Sequence, residues 1–282
     1  MNENKKVNIV SGEPRSGTSL MMKILSTLGM QIAGEKYPSR IRMEKQLESM
    51  KVKPVLNLQR IKNLENKLER IQDLNPLGFY EIPGIVVNGL RKMKNEFDGK
   101  VIKVITHGLY ERTLPNGKSI GTPLKYINKI IFCIRDPRNI AKSQTNLESR
   151  AEVADEDEKG KWKTRGIRIL SPEKYVDSMG NFVLWLCENY ESMISRMLIV
   201  DFENVVSDNP PFDNLIQHLK IKSSVEQVIE AKKIINPKLY RSKNIEGWPS
   251  TLEVEGALAD DIYSCFKNLT LDYEHLSIEK KF

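Results

Sequence analysis

Between Val7 and Leu28 the chain passes from a short apolar run, VNIVS, through the loop SGEPRSGTS (Ser11–Ser19) into a stretch with Leu20, Ile24, Leu25 and Leu28 on one stripe. A strand that turns through two glycines into a helix start constrains the chain to a fold in which strands feed helices across a sheet. Three further β-rich runs repeat the theme: Val101–Thr106 (VIKVIT), Ile130–Ile134 (IIFCI) and Met197–Phe202 (MLIVDF). All are nearly continuously apolar rather than alternating, which suits strands covered on both faces, as in a parallel sheet. Helical spacing fills the intervals. Gly29 suits the stop of the first helix, and Gln59–Leu74 carries Ile61, Leu64, Leu68 and Ile71 on one face. Pro172–Arg196 reads as one long helix with Tyr175, Phe182, Leu186 and Tyr190 on its apolar side, and Ser223–Ile235 and Gly256–Leu269 as two more.

The expected fold is therefore α/β: a P-loop-type doubly wound parallel sheet flanked by helices, in a single domain over residues 1–282. Two segments break the pattern. Tyr37–Pro54 is basic and without clear period, and Glu148–Ser171 is a dense mixture of charges that reads as a solvated loop or a lid. By position, 37–54 and 148–171 are the substrate-side segments. Net charge is +7, but no run of five basic residues occurs, which argues against a nucleic-acid tail. No apolar run of membrane-spanning length is present. Cys133, Cys187 and Cys265 lie far apart and outside any metal-binding spacing, so buried thiols in a reducing, cytoplasmic setting are expected, with no metal site. Oligomeric state is not written in the sequence.

The loop's chemistry follows from its place. Successive backbone N–H groups of a glycine turn converge on an anion, and the helix start behind them adds about half a positive charge. The span Gly12–Ser19 matches the nucleotide loop G-x-x-x-x-G-K-[ST] except that Thr18 stands where the lysine belongs. The cation has moved upstream to Arg15, which would project past a 5′-phosphate toward a transferable group.

Pro14-Arg15-Ser16-Gly17-Thr18-Ser19-Leu20 resembles the 5′-phosphosulfate loop of PAPS-dependent sulfotransferases, especially the bacterial branch that reads PRSGTSL. PAPS is 3′-phosphoadenosine 5′-phosphosulfate, and its product is PAP. The resemblance implies that the loop backbone and hydroxyls hold the 5′-phosphate and that Arg15 contacts the bridging oxygen and the sulfuryl group. It also implies no metal requirement. A second match, IIFCIRDPRNIAKS (Ile130–Ser143), resembles the family's 3′-phosphate motif, in which Arg135 and Ser143 would grip that phosphate. Pro137 suits a first helical turn, and Arg135 falls at the carboxyl edge of the sheet, where open α/β folds bind ligands. Phe202-Glu203 resembles the family's aromatic-Glu step near the adenine, and packing accounts for Phe202 equally well. Arg241-Ser242-Lys243, with Gly247-Trp248, resembles the segment that wraps the 3′-phosphate.

Sulfuryl transfer also needs a group to take the acceptor's proton. His107, after the second strand run, resembles the family's strand-end base histidine, although Ile105 replaces the lysine that normally stands two residues before it. His218 and His275 read as surface or packing residues. Glu81, in NPLGFYE, and Glu35, in AGE, resemble carboxylates that orient or deprotonate the acceptor in other branches. The acceptor itself, a small molecule, carbohydrate or other hydroxyl- or amine-bearing compound, is not encoded in any motif. Two other functions use the same loop: a kinase or NTPase with Asp136 as its metal carboxylate, and a nucleotide-binding protein without turnover.

Overall fold

The computed structural model describes residues 5–51, 58–74, 78–113, 117–152, 171–235 and 253–279. Six strands lie among them: β1 Val7–Gly12, β2 Val101–Lys103, β3 Arg112–Thr113, β4 Ser119–Ile120, β5 Ile127–Ile134 and β6 Met197–Asp201. Four form one parallel sheet in the order β2-β1-β5-β6, while β3 and β4 make a separate small hairpin. The helices are α1 Thr18–Thr27, α2 Pro38–Lys51, α3 Leu58–Leu74, α4 Ile85–Asn88, α5 Thr106–Leu109, α6 Pro137–Glu152, α7 Pro172–Glu188, α8 Tyr190–Met193, α9 Phe202–Val205, α10 Phe212–Leu219, α11 Val225–Ile234 and α12 Glu253–Glu279.

The strand pleat explains why these runs are apolar throughout. Along β5, Ile130, Phe132 and Ile134 face one way, against Tyr175, Met179 and Phe182 of α7 and Ala259 and Phe266 of α12. Ile131 and Cys133 face the other way, where Met21, Ile24 and Leu25 of α1, Leu215 of α10 and Ala231 of α11 cover them. Both faces are buried, so both need apolar side chains. Phe132 stacks on Phe182 with centroids 4.2 Å apart, and Phe266 closes the cluster at 5.9 Å from Phe132. The fold matches the α/β expectation, with the glycine loop at the carboxyl end of the second strand in the sheet order.

Several expectations need correction. The second strand run ends at Lys103, not Thr106. The Val104 N–H still donates to Val10 at 3.0 Å, but the Ile105 N–H donates to Val86 at 2.9 Å, which draws the chain off the sheet and into α5. His107 therefore sits in a helical turn rather than at a strand end. The long helix from Pro172 breaks at Asn189, whose side-chain amide donates to the Trp185 carbonyl at 2.8 Å and closes the helix end. Beyond that break Tyr190 is exposed, and so lies off the apolar face assigned to it. Residues 38–51 form a helix despite their charges, because Met43, Leu47 and Met50 recur at helical spacing and pack on Ile61 and Leu64 of α3. Residues 148–152 continue α6 rather than opening a loop, and α12 extends the expected Gly256–Leu269 helix at both ends. His218 is a packing residue: it is buried, its Nε2 lies 3.1 Å from the Arg196 carbonyl, and burial pushes its pKa down to about 4. Of the thiols only Cys133 is buried, its pKa pushed up to about 12; Cys187 and Cys265 are exposed and unpaired. Residues 153–170, Arg241, Lys243, Gly247 and Trp248 lie outside the described residues. Among those described, no helix is long and apolar enough to cross a membrane.

Candidate active site

The loop is built from backbone geometry that most side chains resist. The Ser16 N–H donates to the Glu13 carbonyl at 3.0 Å, closing a four-residue turn with Pro14 second and Arg15 third. Arg15 has φ +80°, the left-handed value that a type II turn demands of its third residue and that glycine usually supplies. For an arginine this costs on the order of 1–2 kcal/mol. Gly12 and Gly17 are required by space as well as by φ. A Cβ on Gly12 would lie 2.3 Å from the Cys133 carbonyl oxygen, and one on Gly17 would lie 2.4 Å from the Phe202 ring. Helix α1 follows Gly17 at its N-cap, with no side-chain cap and no acidic residue in its first turn, so its leading N–H groups are left for an anion. The Ser16 hydroxyl is buried and has no hydrogen-bond partner among the described residues. A buried hydroxyl without a partner, beside the uncapped start of α1, fits a phosphate oxygen.

The second motif meets this loop directly. Arg15 Nε donates to Ser143 Oγ at 3.1 Å, across 128 residues of sequence. Arg135 Nη1 donates to the Arg15 carbonyl at 3.0 Å, and Gln144 Nε2 donates to the Pro14 carbonyl at 3.2 Å. The Arg135 guanidinium lies 4.4 Å from the centre of the Phe202 ring, and that ring packs on Gly17. Phe202 thus braces both the loop and Arg135. Gly12, Pro14, Arg15, Ser16, Gly17, Thr18 and Ser19 sit within one cluster with Arg135, Ser143 and Phe202.

The proton-accepting candidates are arranged less tightly. His107 is half-buried, and burial lowers its pKa, with the nearby Arg112 charge adding to the effect. Among the described residues its ring shares no hydrogen bond with Arg15, Arg135 or Ser143. Glu35 and Glu81 are brought together by a two-way backbone bridge of 3.2 and 3.1 Å. Glu35 is exposed, whereas the Glu81 carboxylate accepts from Lys103 Nζ at 2.9 Å. Asp136 is engaged in a fork with Arg138, whose Nε and Nη2 donate to it at 3.1 and 2.7 Å, so the kinase's metal carboxylate is already committed. Among the described residues no cluster of three or more His, Cys, Asp or Glu side chains is placed to hold a metal ion.

No protein-family model matches the chain, and no curated protein sequence matches it. Solved structures do show likeness. The sulfotransferase domain of the Synechococcus PCC 7002 olefin synthase is 14% identical, over 93% of this chain and 96% of that one, with a TM-score of 0.42. The sulfotransferase domain from the curacin biosynthetic pathway is 14% identical, over 93% and 98%, with a TM-score of 0.44. Retinol dehydratase in complex with retinol and PAP is 16% identical, over 92% and 80%, with a TM-score of 0.38.

Three site features escaped the sequence. Lys103 is the first. It is 5% exposed, and its ammonium donates to Ser19 Oγ at 3.0 Å and to the Phe79 carbonyl at 3.0 Å besides Glu81. Burial lowers its pKa, opposed by the Glu81 carboxylate. A lone lysine inside the apolar run VIKVIT was the available signal, since a charge in a buried strand requires partners. The second is Glu13, a buried acid within the anion loop. Its Oε1 accepts from Ser178 of α7 at 2.6 Å, and burial raises its pKa against the pull of the Ser178 and Thr106 hydroxyls.

The third is Asp201 at the end of β6, which accepts from Tyr263 and from the Glu203 N–H at 3.2 and 3.3 Å. Burial first, then its neighbour Glu203, raises its pKa to about 7 from 3.8. Between those two values the folded chain keeps a proton that the unfolded chain has released. Stability therefore falls as pH rises through that window. Asp201→Asn is expected to flatten this slope and to raise Tm by a few degrees above pH 7, on the order of 1 kcal/mol. Thermal melts across the window check it, and an unchanged slope would show that Asp201 is ionised in the fold.

Proposed function

We propose that the protein is a sulfotransferase that moves a sulfuryl group from PAPS to a hydroxyl or amine of a small-molecule or carbohydrate acceptor and releases PAP. The observation that carries this is the meeting of Arg15, Ser143 and Arg135: two segments far apart in sequence, each read as an anion-binding motif, are joined by hydrogen bonds. A nucleoside with phosphates at both the 5′ and 3′ positions needs that arrangement, and ATP does not.

In this assignment the N–H groups of Gly12–Ser19, with the Ser16, Thr18 and Ser19 hydroxyls, hold the 5′-phosphate. Arg135 and Ser143 hold the 3′-phosphate, joined by Arg241 and Lys243. Arg15 directs its guanidinium to the oxygen between phosphorus and sulfur. The bound donor supplies the sulfuryl group: the acceptor oxygen–sulfur bond forms in line as the sulfur–oxygen bond to the 5′-phosphate breaks. Negative charge then grows at that bridging oxygen, where a fixed cation lowers the barrier most. His107 takes the acceptor's proton. Its lowered pKa keeps the imidazole neutral, and so able to accept, at neutral pH. Glu35 and Glu81 sit at the acceptor side, and helices α2 and α3 with residues 153–170 shape the acceptor pocket. Three unpaired thiols, two of them exposed, suit a reducing compartment, and we place the protein in the cytoplasm.

Calorimetric titration separates this function from the kinase. PAP is expected to bind without Mg²⁺ and more tightly than ATP with Mg²⁺. Binding of ATP–Mg²⁺ together with indifference to PAP would exclude sulfuryl transfer. PAP binding without transfer to any of a panel of phenols, alcohols, amines and sugars would instead leave a nucleotide-binding protein.

A further inference from the structure

Loops of the form G-x-x-x-x-G-K-[ST] place the final hydroxyl on a divalent metal ion. Here that hydroxyl is Ser19, and something else already occupies its ligand position. Lys103 Nζ donates to Ser19 Oγ at 3.0 Å, to the Phe79 carbonyl at 3.0 Å and to Glu81 Oε1 at 2.9 Å. A hydroxyl, a carbonyl and a carboxylate are the hard oxygen donors that Mg²⁺ prefers. An ammonium has three N–H groups, and all three are used.

The segment that brings two of these oxygens is held for the purpose. Tyr80, between Phe79 and Glu81, has φ +52°, a left-handed value that a bulky residue rarely adopts. The backbone bridge from Glu35 to Glu81 fixes it in place. Strain of this kind persists only where the surrounding structure holds it, and here it lies between two of the ammonium's acceptors.

We propose that Lys103 is the built-in cation of this site, its ammonium standing between Ser19, Phe79 and Glu81 where a metal-using loop holds its divalent ion. The inference rests on the phosphate-binding role of the loop. It gives a physical reason for metal-independent phosphate binding: the charge is covalently attached and cannot be chelated. It also accounts for Thr18. With one cation fixed under Ser19 and another at Arg15, a third on the loop would add repulsion.

Exchanging the ammonium for a carboxylate should turn the position into a metal site. Mn²⁺ binding, followed by the electron paramagnetic signal of the free ion, is compared for wild type, Lys103→Met and Lys103→Asp. Lys103→Asp is expected to bind one Mn²⁺ per chain, and the other two none. Lys103→Ser is a milder second variant, whose Tm should rise on adding Mn²⁺ while that of the wild type does not. Folded Lys103→Asp and Lys103→Ser proteins that ignore Mn²⁺ would overturn the proposal. So would wild-type PAP binding that requires Mg²⁺. Failure of the wild type to bind PAP at all would remove the sulfotransferase function while leaving the Mn²⁺ result standing, so the two failures are distinguishable.

Discussion

Arg15→Ala is expected to lower kcat by about 10²–10³, the loss typical of removing one transition-state donor, while leaving the fold's stability unchanged or slightly higher. Both halves follow from the same geometry. Arg15 sits at the third position of the turn with φ +80°, held there by the Ser16 to Glu13 bond and by Arg135 on its carbonyl. Its guanidinium meets Ser143 and lies close enough to Lys103 for its charge to lower that ammonium's pKa. The folded protein thus places Arg15, Arg135 and Lys103 along one loop, an arrangement that an anion relieves. Substitution removes repulsion together with the hydrogen bond to Ser143, two effects of opposite sign, so the stability change is small. Arg15→Gly carries this further: it also releases backbone strain, and should be about 0.5–1 kcal/mol more stable than Arg15→Ala. Single-turnover rates and thermal melts on the three proteins test the pair of effects. Unchanged turnover in Arg15→Ala would remove Arg15 from the mechanism.

How much of this was legible in the sequence depends on whether the signal was local. The first strand, the glycine loop and helix α1 were readable because one segment contains both the backbone geometry and its reason: Gly12 and Gly17 stand where φ is positive and space is closed. The run IIFCIRDPR was readable for a similar reason, a buried strand ending in a charge and a helix-starting proline. The misses came from tertiary contacts. Nothing local in VIKVIT says that Ile105 will bond to Val86 and leave the sheet, yet that bond moves His107 off a strand end. Residues 38–51 looked aperiodic because charges dilute Met43, Leu47 and Met50; their partners Ile61 and Leu64 arrive only through the fold. Lys103 and Glu13 are single charges whose partners the sequence does not name. Their roles depend on residues far off in sequence, Glu81 and Phe79 for one and Ser178 for the other.

The second large effect concerns Arg135, and it bears on the central claim that one nucleotide spans both motifs. Arg135 is buried against Phe202 and reaches the loop through the Arg15 carbonyl. With Arg135 on a 3′-phosphate, Arg135→Ala loses a charge-assisted contact of about 1.5–3 kcal/mol, roughly 10- to 100-fold in affinity. The loss must fall more heavily on PAP than on AMP, which keeps the 5′-phosphate and lacks the 3′-phosphate. General damage to the loop would weaken both alike. The most direct measurement is therefore a calorimetric titration of wild type and Arg135→Ala with PAP and with AMP. A drop of at least tenfold for PAP, with a clearly smaller loss for AMP, is the predicted result. Equal losses for the two nucleotides, or no preference of the wild type for PAP over AMP, would contradict it.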